Sequence, residues 1–433
     1  MTRTRLGQKE IALFFFPLLL NVQLMSVSHT VINGGLARLE DYVTALAGFS
    51  VAMVVHLFVA SPSYQNHTVT IAMVRGRRSW RGVLLFVLLV AAYVAAMLGL
   101  MAFTPVGIWV LERLLGAPPE VVKEARRALG ILFILPFFTG LRGFCQGLVI
   151  RARRTGLVSL ATGVRVGGLF MLLAWGDDHF SGAALGAFAL VGCVIIETLV
   201  MIFLAWRIHQ PLPADDAEES TGAILRYAFP LAWSSCLQQT IPLLINAILG
   251  RLPDAAMALA AFGVIRGLLF LLAGPMRNLQ QAYLTLVRQD DDYRALVRFH
   301  FRVASGMGLL LLVVAGPLSQ PVLGDLLGVA PDLRRYLAPA LACCAVFPLL
   351  YGGSNLLRGW FAGARRTGQL GRSTLVKCLF MLLCWPLLTR WPLPVTGILV
   401  GILLLLAAEG VELSYLRLQR QKLPPELQQL VPR

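Results

Sequence analysis

The chain has 433 residues, of which 57% are hydrophobic and only 14% charged. A soluble globular chain carries roughly 45–50% apolar and about 25% charged residues, so both departures point to lipid as the solvent. The net charge of +16 would suit a nucleic-acid partner in a soluble protein. Here the chain divides into apolar runs of about twenty residues or more, which excludes a soluble nucleic-acid binder.

Taken in chain order, the apolar runs predict about twelve membrane helices, at 11–36, 43–74, 82–104, 128–150, 156–175, 182–206, 225–250, 256–287, 300–324, 336–362, 368–389 and 393–416. The second, eighth and tenth are long enough to tilt or bend, and Pro62 and Pro275 mark kinks in the second and eighth. The opening MTRTRLGQKE has no small-residue cleavage site and reads as a retained basic tail. Lys and Arg concentrate on alternate loops, including Arg75, Arg77, Arg78, Arg151, Arg153, Arg154, Arg365 and Arg366. By the positive-inside rule both termini are cytoplasmic, and the Leu/Ala/Arg-rich composition with short loops suggests a multi-pass protein of the inner (plasma) membrane. All seven cysteines lie in apolar segments without C-x-x-C spacing, so neither disulfides nor zinc are expected.

An internal repeat organises the chain. Residues 16–75 align without a gap on 229–288: Phe16-Pro17-Leu18 meets Phe229-Pro230-Leu231, Ile32-Asn33 meets Ile245-Asn246, and Arg38, Asp41, Phe49, Pro62 and Val74-Arg75 all recur. Further on, Arg153-Arg154-Thr155-Gly156 returns as Arg365-Arg366-Thr367-Gly368. Each half holds six spans, an even number, so both enter the membrane the same way. The expected fold is an all-α polytopic membrane protein of two parallel six-helix repeats: a bundle at 1–210, a polar linker at 211–222 and a second bundle at 223–433. Such a repeat argues for a transporter with its substrate near the midplane.

Ionisable groups at membrane depth are costly and mark cavities by default. Arg142, Arg165, Arg266 and Lys377 fall near the middle of their spans, with Arg277 and Arg358 nearer the cytoplasmic side. His29, His56 and His67 add polarity, and acids at depth are confined to Glu197, Glu409 and Glu412. Arg266 and Arg277 stand eleven residues apart, as do His56 and His67, which places each pair on one face of a continuous helix. In the first span Ser26, His29 and Asn33 share a face, and Gln239, Pro242 and Asn246 stand at the corresponding positions. A cationic, donor-bearing cavity of this kind suits a small anion, because guanidinium binds carboxylate or phosphate bidentately. Blander readings stay open. Arg277 and Arg358 could snorkel to headgroups, and His29 could join two helices by a hydrogen bond. Arg165 and Lys377 could pair statically with Glu197 and Glu409, or these acids could take part in ion coupling.

No P-loop, metal-ligand spacing or Ser/His/Asp constellation is found, so an enzyme, a cofactor and a metal are not expected. The expected partners are a small anionic substrate and membrane lipid, without nucleic acid, and a monomer is compatible with the sequence.

The stretch Ile32-Asn-Gly-Gly-Leu-Ala-Arg38 with Glu40-Asp41, then Ala45-Leu-Ala-Gly-Phe-Ser50, Ala60-Ser-Pro62 and Val74-Arg-Gly-Arg-Arg78, resembles the progressive ankylosis protein family. Phe229-Pro-Leu-Ala232 and Glu409-Gly410 extend the resemblance. The family lies within the multidrug/oligosaccharidyl-lipid/polysaccharide exporter superfamily, whose fold is MATE-like. The resemblance implies export of small anions of the pyrophosphate, citrate or nucleotide class by alternating access. Residues 11–36, 225–250 and 336–362 contain no Asp or Glu, unlike multidrug cation antiporters of the superfamily. Lipid-linked oligosaccharide flippases, whose substrates carry pyrophosphate, are the alternative, with a multidrug cation antiporter behind them.

Overall fold

The computed structural model describes residues 6–36, 38–114, 118–208, 219–327, 329–390 and 394–423, all in helices and their connections. Residues 211–218, most of the expected linker, lie outside the described residues. In the first half α1 (Gln8–Leu36), α2 (Tyr42–Val59), α3 (Asn66–Met73), α4 (Arg77–Phe103), α5 (Pro105–Trp109), α6 (Pro119–Leu132), α7 (Leu135–Arg151), α8 (Thr155–Gly176) and α9 (Ala183–Ile208) follow one another. The second half continues with α10 (Thr221–Leu249), α11 (Ala255–Leu272), α12 (Asn278–Leu286), α13 (Asp290–Ala315), α14 (Pro331–Cys343), α15 (Phe347–Gly363), α16 (Gly368–Arg390) and α17 (Gly397–Gln421).

Among the described residues eight helical segments, with α14 and α15 counted as one continuous span (Pro331–Gly363), are long and apolar enough to cross a membrane, and three bent pairs raise the number to eleven. The twelfth expected span is α10, which has the length at 29 residues but carries Ser234, Ser235, Gln238, Gln239 and Thr240 across its middle. The bends fall where proline removes a backbone donor. α2 and α3 meet at 58° across a 3-10 turn holding Pro62, and α11 and α12 meet at 51° across one holding Pro275. α6 and α7 meet at 46°, with Pro136 in the first turn of α7.

By contacts the chain forms two compact units, Phe16–Cys236 and Met1–Phe15 with Leu237–Arg433. The boundaries therefore lie inside α1 and α10 and not in the linker. The reason is local: Gln8 Nε2 at the start of α1 donates to Ala295 O at 2.8 Å, and Leu6 N donates to Asp292 Oδ1 at 3.4 Å.

Each unit has its own apolar core, and the cores use repeat-related residues. Ile32, Phe49, Leu98, Leu129 and Leu190 are buried together in one unit. Ile245, Phe262, Leu311, Leu341 and Ile402 are buried together in the other. In lipid, close backbone approach replaces the hydrophobic drive between helices, and small residues permit it. A Cβ on Gly147 of α7 would lie 2.5 Å from Thr70 Cβ of α3, and one on Gly359 of α15 would lie 2.7 Å from Tyr283 Cβ of α12. The sixth long helix of each half starts on a borrowed carboxylate. Glu124 Oε2 accepts from Ala183 N at 2.9 Å, and Asp254 Oδ2 accepts from Gly397 N at 2.8 Å. A carboxylate there satisfies an orphan N–H and meets the positive end of the helix dipole.

Candidate functional site

In the unit Phe16–Cys236, α7, α8 and α9 converge on one acid. Glu197 of α9 is fully buried; its Oε2 accepts from Arg142 Nη1 of α7 at 2.6 Å and from Arg165 Nη1 of α8 at 3.2 Å. Its Oε1 lies 2.8 Å from the Thr162 hydroxyl and 3.5 Å from Gln146 Nε2. Helical spacing puts these groups together. Arg142 and Gln146 are four apart on α7, and Thr162 and Arg165 three apart on α8, so each pair shares a face. Thr162 also lies 2.5 Å from Asn21 Oδ1, which ties α1 to the cluster. Both oxygens of Glu197 are thus engaged. Two guanidinium groups face one carboxylate, leaving one positive charge, and the Nε atoms of both Arg142 and Arg165 are buried without an acceptor. The Arg142 side chain retains 13% exposure, so the excess charge has an outlet.

The second unit repeats the triad. Thr162, Val164, Arg165 and Glu197 recur 212 residues later as Thr374, Val376, Lys377 and Glu409. Lys377 Nζ of α16 donates to Glu409 Oε1 of α17, and lies 3.1 Å from Glu412 Oε2 one turn further along α17. Arg358 of α15 donates to Glu412 Oε1 and lies 3.3 Å from Thr374 Oγ1. Ser373 Oγ donates to the same Glu412 oxygen at 3.3 Å. With its amide turned to face Arg358, the Gln238 side-chain oxygen of α10 accepts from both terminal guanidinium nitrogens at 3.1 and 3.3 Å. Two cations here meet two carboxylates, and the cluster is neutral.

The halves differ by one helical turn of sequence. Arg358 stands where the first half has Gln146, Glu412 where it has Val200, and Ser354 where it has Arg142. Thr374 does not reach Glu409 as Thr162 reaches Glu197; it bonds Leu370 O and Arg358 instead. Glu409 Oε2 is consequently buried with no hydrogen-bond partner.

Of the residues singled out in the sequence, Arg142, Arg165 and Glu197 come together in one cluster, and Lys377 and Glu409 in the other. Arg165 pairs with Glu197, and Lys377 with Glu409. Arg358 does not snorkel: it is buried in an ion pair with Glu412. Arg266 is exposed between Gly263 and Gly267, neither of which has a neighbour within reach of a Cβ. Arg277 is exposed and stacks on Phe270, 5.4 Å from the ring centroid. His56 is buried with Nδ1 unpartnered, His29 and His67 are half-buried, Gln239 and Asn246 are half-buried, and Asn33 is exposed. The eleven-residue spacing of His56 and His67, and of Arg266 and Arg277, does not define one face. A 3-10 turn and a bend above 50° separate the members of each pair.

Sequence reasoning named Glu412 only as an acid at depth, and passed over Thr162, Thr374, Gln146, Ser373 and Gln238. The recurrence of threonine three residues before a cation in both halves was the available signal for the threonines. Asp254 lies outside the spans, at the start of α11. Burial alone would raise its carboxyl, but hydrogen bonds from the Tyr336 hydroxyl and Gly397 N hold it below its ordinary value of 3.8.

Residues 8–174 match the family model of the progressive ankylosis protein. No curated protein matches the chain by sequence. Among solved structures, a MOP superfamily transporter from Pyrococcus furiosus aligns with TM-score 0.72 at 15% identity, covering 95% of each chain. MATE in complex with MaD3S aligns with TM-score 0.73 at 16% identity, over 95% of this chain and 96% of that one. An outward-facing multidrug resistance MATE family transporter of the MOP superfamily gives TM-score 0.67 at 16% identity, over 95% of each chain. The chain therefore has the MATE fold.

Proposed function

We propose that the chain, which has the MATE fold and matches the progressive ankylosis protein family model over residues 8–174, is a secondary transporter for a small phosphate- or carboxylate-bearing anion, of the pyrophosphate, citrate or nucleotide class, working by alternating access. Export, and an inner-membrane setting with cytoplasmic termini, complete the reading. The observation that carries it is the charge balance around Glu197: two guanidinium groups, one carboxylate, and donors left without acceptors. A buried excess cation costs several kcal/mol unless something negative compensates it, so a purely structural cluster would be neutral. α1 and α10 lack acidic residues from Ile11 to Leu36 and from Leu225 to Gly250, which speaks against a cation site of the multidrug type. For the Pyrococcus furiosus transporter a binding pocket of reverse polarity is described, with a different function inferred from it.

In this reading Arg142 meets the anion, and Arg165, Thr162 and Glu197 set its position. The test is uptake of radiolabelled pyrophosphate and citrate into inverted proteoliposomes. Wild type is expected to accumulate one of them, and Arg142→Gln to lose that transport with its melting temperature nearly unchanged. Undiminished transport by Arg142→Gln sinks the site. Movement of lipid pyrophosphate alone would favour the flippase, and movement of a cationic dye alone would overturn the anion reading.

A further inference from the structure

A cleft at one end of the unit Phe16–Cys236 takes no part in the Glu197 cluster. It lies where α4 ends, along α6, and beside the connection from α8 to α9, with a volume of about 810 Å³. Lys123, Arg126 and Arg127 of α6 line it, and their i, i+3, i+4 spacing puts all three on one face of the helix. Glu112 is the one carboxylate of the lining. Glu124 is already engaged, by Arg127 at 2.7 Å and by Ala183 N at 2.9 Å. Three cations therefore meet two carboxylates, an excess of one positive charge. Arg126 is pinned to the end of α4: Nε donates to Ala102 O at 3.0 Å and Nη2 to Thr104 O at 3.5 Å. Its Nη1 and the Lys123 ammonium have no protein partner among the described residues. The fold does not require this charge, since Arg126 and Arg127 stand where the second half has Ala338 and Pro339. Much of the remaining lining is apolar, with Phe103, Ile131 and Phe180, and Phe103 keeps 64% of its surface exposed. Trp109 and Trp175 are exposed at the same end of the unit, and aromatic side chains so placed mark the depth of lipid headgroups.

We propose that this cleft is a binding site for an anionic phospholipid, with the phosphate diester held by Lys123 and Arg126 and the first chain carbons lying over Phe103 and Ile131. The site lies within one unit and does not depend on the transport reading above. Charge decides the headgroup. A single excess cation matches the one negative charge of a phosphate diester, and bonds from guanidinium and ammonium to phosphate are of the stronger, charge-assisted kind. A zwitterionic headgroup would bring its own cation against a wall that is already positive, and gain little. Apolar surface decides between a lipid and a soluble anion. Inorganic phosphate would satisfy the cations but leave Phe103 and Ile131 uncovered, whereas a lipid covers both.

The test uses the full-length protein in phosphatidylcholine nanodiscs that contain a trace of phosphatidylglycerol with a diazirine near the start of one acyl chain. After irradiation the labelled peptides are mapped by mass spectrometry. Wild type is expected to carry label between Phe103 and Ile131. In Lys123→Glu that label is expected to fall about tenfold, the loss of one charge-assisted contact, with label elsewhere on the chain as the internal reference. Lys123 is exposed and has no partner to lose, so this variant is expected to keep the wild-type melting temperature in phosphatidylcholine alone. Arg335 occupies the repeat-related position in the other unit, and Arg335→Gln is expected to leave the label between Phe103 and Ile131 unchanged. Equal labelling by phosphatidylcholine bearing the same diazirine, or a Lys123→Glu pattern equal to wild type, overturns the proposal. Loss of the label in excess inorganic phosphate also overturns it, because the cleft would then be a site for a soluble anion.

Discussion

Arg153 and Arg365, 212 residues apart, share the same left-handed backbone, with φ of 60° and 58°. Among the described residues no other non-glycine position has positive φ. Each follows the last turn of a helix, α7 or α15, and the next residue closes a six-to-one bond, Arg154 N to Val149 O and Arg366 N to Phe361 O. This is a Schellman ending with arginine where glycine is usual. A left-handed L-residue costs roughly 1–2 kcal/mol. Arg365→Gly is therefore expected to hold or raise the melting temperature, and Arg365→Val to lower it, in thermal unfolding of the detergent-solubilised protein. A drop with glycine as large as that with valine would refute the strain.

Glu197 is predicted to be the costliest single charge to remove. Glu197→Gln leaves Arg142 and Arg165 facing each other without compensation, at a cost of about 3–5 kcal/mol. Arg142→Gln leaves Arg165 and Glu197 as a balanced pair and is expected to lose much less. Chemical denaturation of both variants, ranked against wild type, checks the order; a reversed ranking would show that the excess charge is not buried as described.

The Asp254 link gives a pH signature outside the membrane-spanning segments. Its folded value lies below the ordinary 3.8, so its contribution is present above that value and lost as pH falls through the folded one. Asp254→Asn is expected to lower stability at neutral pH and to flatten the acid side of the stability curve. Melting temperatures recorded from neutral pH down to about pH 3 test it; an acid limb as steep in the variant as in wild type is the contrary result.

Close approach predicts a contrast among glycines. Gly147→Ala and Gly359→Ala force contacts of 2.5 and 2.7 Å against α3 and α12, and overpacking of this kind costs typically about 1–3 kcal/mol. Gly163 and Gly263 have nothing within 4 Å, and their alanine variants are expected to match or exceed wild-type stability, since alanine favours helix. Parallel thermal melts of the four variants decide it.

The architecture is largely legible in the sequence. Runs of apolar residues set the helices, and Pro62 and Pro275 marked bends that do occur. The repeat foretold that Glu197 and Glu409 play related parts, because shared polar residues at one offset do not arise from leucine-rich composition. What stayed hidden was how the cations are shared out. Lys377 and Arg358 are consumed by Glu409 and Glu412, and that depends on which faces of α15, α16 and α17 meet, a tertiary fact. The spacing of Arg266 and Arg277 misled for a related reason: a period measured along the chain loses its meaning across a bend. α12 was equally opaque, since Asn278, Gln280, Gln281 and Thr285 look like a wet face and are all buried.

The placement of the first turns of α1 bears on how the protein is made. Gln8 hydrogen-bonds Ala295, 287 residues downstream. At roughly 5–20 residues per second the opening segment waits about 15–60 s for that partner to emerge from the ribosome. Throughout that interval Ile11, Phe14 and Phe15, which finish fully buried or nearly so, have only lipid or the insertion machinery for company. Slowed translation of α11 through α13 should therefore expose the nascent N-terminus to proteases for longer, and an N-terminal fusion that tethers these residues would be felt most strongly in yield rather than in the properties of the finished protein.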